Sequence, residues 1–130
     1  MLFLLHIVLM VIATLGIMAG VSAAMFFRRK KNWLKIHKTL NTLSLAGITV
    51  GIIMAFFYVA GTGGKHLNDV HQMTGLAAFT VVLIAIALGH YQFKALNKSA
   101  IRAAHRWMGR VSIFILAAAA FLGLRLINLL

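Results

Sequence analysis

Four apolar stretches take up most of the chain: Leu2 to Phe27, Leu34 to Ala60, Val70 to Gln92, and His105 to Leu130. About 20 residues in a helix, rising 1.5 Å each, cross a hydrocarbon core of roughly 30 Å. A single spanning segment can satisfy its backbone hydrogen bonds internally only as a helix, so each stretch predicts a transmembrane helix. A soluble fold is excluded by composition, since 62% of residues are hydrophobic and 11% charged, against about 25% charged in a water-soluble globule. With 130 residues, one domain spanning 1–130 is expected, with nothing left over for a soluble domain. The first stretch lacks the pattern of a cleavable signal: its basic cluster follows the apolar run, and the run is too long. Short connections make neighbouring helices antiparallel. The expected fold is an all-α, up-down four-helix transmembrane bundle.

Thirteen Lys and Arg stand against one acid, Asp69, for a net charge of +12. In a soluble chain that balance points to nucleic acid, but no stacking platform or basic groove accompanies it here. The charge follows topology instead. Arg28, Arg29, Lys30, Lys31, Lys35 and Lys38 surround the first connection, and Lys94, Lys98, Arg102, Arg106 and Arg110 surround the third. The second connection has only Lys65, and Arg125 lies near the C-terminus. The positive-inside rule then sets the two basic connections in the cytoplasm, with both termini and the 61–69 loop outside. Anionic lipid headgroups alone account for Lys30 and Lys31. With no cysteine, disulfides, iron–sulfur clusters, thiolate zinc sites and covalent C-x-x-C-H attachment are all excluded.

Four of the six histidines occur once per helix: His6, His37, His71 and His105, spaced by 31, 34 and 34 residues. Each lies toward the N-terminal end of its own helix. Because helix direction alternates, His6 and His71 fall at one depth and His37 and His105 at the other. Both pairs are diagonal across the bundle. Two neutral imidazoles facing each other match the axial ligands of a haem iron, which the other four positions of a flat macrocycle complete.

Helix faces add a second pattern. Seven residues after each histidine stand Ala13, Ser44, Ala78 and Ser112; fourteen after, Gly20, Gly51, Ala85 and Ala119; eighteen after, Ala24, Ala55, Gly89 and Gly123. All are small. The last two rows lie roughly 21 to 27 Å along the helix, at the depth of the other histidine pair. Each helix is therefore expected to ligate one haem and leave room for a second. The same spacing also serves direct helix packing without any cofactor. A haem-free membrane anchor or assembly subunit is the alternative from another class. A metal-ion carrier is weaker, because Asp69 is the only acid. His90 lies off the small-residue face, and His66 shares the second connection with Asp69; an interfacial polar residue and a solvated loop residue are the simplest readings.

The segments around these histidines are H-I-V-L-M at His6, L-K-I-H-K-T-L-N at His37, D-V-H-Q-M-T-G-L at His71 and A-H-R-W-M-G at His105. In this order, and with the H-x-x-x-G pairs His71–Gly75 and His105–Gly109, the chain resembles the core of the cytochrome b561 family. The resemblance implies two non-covalent haem b groups, with His6 and His71 ligating the outer iron and His37 and His105 the inner one. It implies electron transfer from a cytoplasmic donor, ascorbate- or quinol-like, to an outer acceptor, ferric iron or a redox partner. Such a chain would be a transmembrane oxidoreductase, with ferric reduction as one activity, and a homodimer. Flanking helices and an extra redox domain, present in many members, are not expected in this chain.

Haem propionates are anionic and need cationic partners. Arg102, Arg106 and Arg110 share one side of the fourth helix with His105, and Lys35 and Lys38 flank His37. Arg106 and Arg110 are the preferred candidates, Arg110 more so because it lies over a turn inside the apolar run. Asn41 and Ser44 follow His37 on its face, and Ser112 follows His105; they hydrogen-bond near the inner haem or bridge helices at about 0.6 kcal/mol each. Trp33 and Trp107 fit an interfacial aromatic belt.

Overall fold

The computed structural model describes residues 1–128, and those residues form four α-helices and no strand: α1 (Leu2–Phe26), α2 (Trp33–Gly61), α3 (Val70–Tyr91) and α4 (Lys98–Leu126). All four are long and apolar enough to cross a membrane; the shortest, of 22 residues, is about 33 Å long. Large apolar side chains on their outer faces, such as Leu4, Ile12, Leu43 and Phe114, are exposed and face lipid. The chain is an integral, multi-pass, all-α membrane protein.

Helix ends agree with the apolar runs to within a residue, except at α4. This helix starts at Lys98, well before the run that begins at His105. Asn97 caps it, its Oδ1 accepting from Ala100 N at 3.1 Å, as the short polar side chains favoured at this position do. The first two turns carry Lys98, Ser99 and Arg102 and precede the apolar run, so hydropathy does not register them. Arg102 therefore lies on a helix one turn from Arg106. At the other end, Leu129 and Leu130 of the expected fourth stretch lie outside the described residues. Asp69, the sole acid, caps α3 by accepting from Gln72 N at 2.9 Å.

The bundle is two tight hairpins laid lightly together. α1 packs closely along α2 and α3 along α4, while α1–α4 and α2–α3 touch less. Glycines let the first hairpin close: a Cβ on Gly47 would lie 3.3 Å from Ala13 Cβ, and one on Gly16 would collide with the Ser44 hydroxyl.

The core is periodic. The rows seven and fourteen residues after each histidine are buried throughout, and so is a row eleven after: Ile17, Ile48, Val82 and Leu116. That third row supplies the large side chains of the core cluster. Given the antiparallel register, Ile17 and Val82 back the His37–His105 level, and Ile48 and Leu116 back the His6–His71 level. Ala13, Ser44, Ala78 and Ser112 form a narrow waist between them.

Candidate functional site

The structure brings the histidines together across the two hairpins. The rings of His6 (α1) and His71 (α3) have centroids 6.3 Å apart at an interplanar angle of 80°. Those of His37 (α2) and His105 (α4) are 5.9 Å apart at 82°. Two metal–imidazole bonds of about 2.0 Å, with each nitrogen about 1.1 Å from its ring centre, put the ring centres roughly 6 Å apart. Either gap thus suits one shared metal. Among the described residues no group of three or more His, Cys, Asp or Glu gathers anywhere. Further ligands would have to come from the bound group itself, as a macrocycle supplies them.

Each ring is oriented by the other helix of its own hairpin. His6 Nδ1 lies 2.8 Å from Gly51 O, and His37 Nδ1 lies 2.8 Å from Gly20 O. His71 Nδ1 lies 2.9 Å from Ala119 O, and His105 Nδ1 lies 2.8 Å from Ala85 O. A carbonyl only accepts, so every Nδ1 carries the proton and donates it, leaving each Nε2 with a free lone pair. Fixing the tautomer through the second nitrogen is how metal-binding histidines are commonly prepared. Hydrogen bonds inside bilayers average about 0.6 kcal/mol, so the set orients rings more than it stabilises the bundle.

The four acceptors are the row fourteen residues after the histidines, and this revises what its smallness is for. The space there is filled by the neighbouring helix's histidine, where the sequence suggested room for a second macrocycle. Two glycines of the eighteen row act likewise: a Cβ on Gly89 would come 2.8 Å from His105 Cε1, and one on Gly123 would come 2.8 Å from His71 Cε1. Gly75 and Gly109 are of another kind. Each lies one turn after a histidine, and a Cβ on either would meet nothing within 4 Å. Open space beside the ring is what a planar group between the histidines requires.

The two pairs have different surroundings. His37 and His105 share a cavity of about 390 Å³, open toward the basic end, which Gly109, Arg28, Arg102, Arg106 and Arg110 also line. Arg110, exposed, sets its guanidinium 5.1 Å from the centroid of the Trp107 ring. A smaller cavity of about 40 Å³ on the other side of the pair is lined by Lys38, Asn41 and His90 among others. Lys38 Nζ stands 5.2 Å over the Phe93 ring, and His90 Nδ1 donates to Ile86 O of its own helix. Lys35 lines neither cavity. Asn41 is buried, with Nδ2 3.0 Å from His37 Nδ1 and Oδ1 lacking a partner. At the opposite end the neighbours are aromatic: Phe3 stacks on Tyr58, and His66 stacks on Phe56 at 4.2 Å. His66 is thus a loop residue held by stacking, while Asp69 is engaged in capping.

Sequence reasoning missed Arg28 as a cavity residue, reading it only as topology, and missed the buried row eleven residues after each histidine. The second was discoverable, because eleven residues is three helical turns and returns to the same face. The sequence model of the family described as eukaryotic cytochrome b561 matches residues 3–128. No curated protein and no solved structure matches the chain.

Proposed function

The chain belongs to the cytochrome b561 family, and on that premise we propose that it holds two haem b groups, one between His37 and His105 and one between His6 and His71. Membership itself carries transmembrane electron transfer through haem b. The observation supporting the finer reading is the reciprocal hydrogen bonding, in which four Nδ1 protons are tied to backbone carbonyls. Four Nε2 lone pairs are then left free for ligation, and the paired rings stand at ligating separation.

Bound haem supplies the one-electron couple; the residues of this chain position and tune it. The histidine levels are roughly 21 Å apart along the bundle, so one pair serves each face of the membrane. The basic face is cytoplasmic by the positive-inside rule. There Arg106 and Arg110, with Arg28 and Arg102, line the cavity and would hold propionates and draw an anionic, ascorbate-like donor, or receive a quinol. Gly75 and Gly109 keep space beside the rings. The acceptor at the opposite face is ferric iron or a redox partner, and the chain works in lipid as a homodimeric oxidoreductase.

The test is a pyridine haemochrome assay with oxidised and reduced visible spectra on detergent-purified protein. About two b haems per chain, with low-spin reduced bands, are expected. One per chain would break the two-site reading, and a colourless protein after haem supplementation would leave the haem-free anchor in its place.

A further inference from the structure

Asn41 lies one turn after His37 on the same helix face. His6, His71 and His105 have Met10, Gly75 and Gly109 at the equivalent place, so the amide is particular to one histidine. It is 8% exposed. Its Nδ2 lies 3.0 Å from His37 Nδ1, and its Oδ1 is buried without a partner. Yet His37 Nδ1 already carries a proton for Gly20 O, 2.8 Å away. An amide N–H meets no acceptor there, and an unpartnered buried oxygen costs about 1–3 kcal/mol. The two ends of an amide are nearly identical in shape, so a half-turn keeps the packing, gives the oxygen a partner and turns the donor-against-donor contact at His37 Nδ1 into one hydrogen bond.

We propose that Asn41 is a positioning residue that presents Oδ1 to His37 Nδ1–H as a second acceptor beside Gly20 O, making the haem at the basic end the lower-potential of the two. This rests on the bis-histidine reading above. Two acceptors draw the Nδ1 proton outward and make Nε2 a stronger electron donor, which favours ferric over ferrous iron. The opposite end has no such group. In the mirrored position Met10 lies over Gly51 as Asn41 lies over Gly20: a Cβ on Gly51 would be 3.0 Å from Met10 Sδ, and one on Gly20 would be 3.0 Å from Asn41 Cγ. Electrons entering at the basic face then run downhill toward the other.

The two residues can be exchanged. Redox titrations followed by visible spectra would compare the parent protein with Asn41→Met, Met10→Asn and the double exchange. Asn41→Met is expected to raise one potential by about 59 mV, a tenfold change in the one-electron equilibrium, and leave the other in place. Met10→Asn should lower the other potential, and the double exchange should invert the order of the two. Haem retained with both potentials unmoved, or both shifted equally, would overturn the assignment. Should Asn41→Met fail to assemble, Met10→Asn decides alone: a lowered potential supports the role and an unchanged one removes it. A parent protein without two haems would instead mark failure of the bis-histidine reading.

Discussion

At the basic end, His37 and His105 look onto a cavity of about 390 Å³ rimmed by four arginines, with a buried amide beside one ring. At the other end, His6 and His71 have a thioether and a glycine in the equivalent places, aromatic stacks nearby, and only Lys65 and Arg125 as Lys or Arg side chains on that side. The means of holding the rings is common to both: each donates to a backbone carbonyl of its hairpin neighbour. What the backbone does is therefore shared, and what distinguishes the ends is side-chain chemistry. Ring geometry is built into the hairpin, while the side chains around the rings differ from one end to the other.

The sharpest way to separate the ends is to remove one ring from each. His105→Leu and His71→Leu should each abolish one haem site and leave about one haem per chain. His105→Leu should stop reduction from the basic face altogether. His71→Leu should leave that reduction intact and block onward transfer, as stopped-flow spectra on oriented vesicles would reveal. Loss of both haems from either change would mean that the two ends are not independent.

A smaller lesion tests the two kinds of glycine. Gly89→Ala sets a methyl 2.8 Å from His105 Cε1, and Gly123→Ala does the same to His71. Overpacking costs about 1–3 kcal/mol, so each should weaken haem retention at its own end by about fivefold or more. Gly75→Ala and Gly109→Ala enter open space and should leave the haem-free bundle as stable or up to about 1 kcal/mol more stable. Haem titration and thermal unfolding of the apoprotein read the two effects separately.

Charge should matter at one end only. Arg102→Gln with Arg106→Gln is expected to slow reduction by an anionic donor severalfold and flatten its dependence on ionic strength, because steering by exposed charges is screened over about 8 Å at physiological salt. Lys65→Gln with Arg125→Gln should leave that rate unchanged. Equal effects from both pairs would show that the arginine-rimmed cavity is not the entry point.

Much of this plan is legible in the sequence, because a bilayer leaves few choices. Long apolar runs have to be helices, short loops force alternation, and alternation puts histidines near helix N-termini at two depths. The diagonal juxtaposition follows and is seen. Less legible is anything that depends on which helices pack closest. The rows fourteen and eighteen residues on are small by inspection, but only the tight pairing of α1 with α2 and α3 with α4 shows that a neighbour's imidazole lies against the fourteen row and against Gly89 and Gly123. The Ile17, Ile48, Val82 and Leu116 row escaped because bulky aliphatics are as common on lipid faces as in the core. Hydropathy also missed the polar start of α4, since those turns carry charge. Their cap, Asn97, is a local signal independent of hydropathy.

The two side-chain caps offer the mildest test of the comparison. Asp69 caps α3 and Asn97 caps α4, and removing such a cap costs about 0.5–2 kcal/mol. Their distances from a histidine differ: His71 is two residues after Asp69, whereas His105 is eight after Asn97. Fraying confined to a first turn therefore reaches His71 and stops short of His105. Asp69→Ala should lower stability by about 1 kcal/mol and loosen haem at the far end, read as faster loss to an apo-haem acceptor. Asn97→Ala should cost a similar amount and leave haem at the basic end in place. Asp69→Asn, which keeps a capping oxygen, should behave as the parent does. If it instead behaves like the alanine variant, the charge of Asp69 matters beyond the cap, and a cationic partner at the far face becomes the next thing to seek.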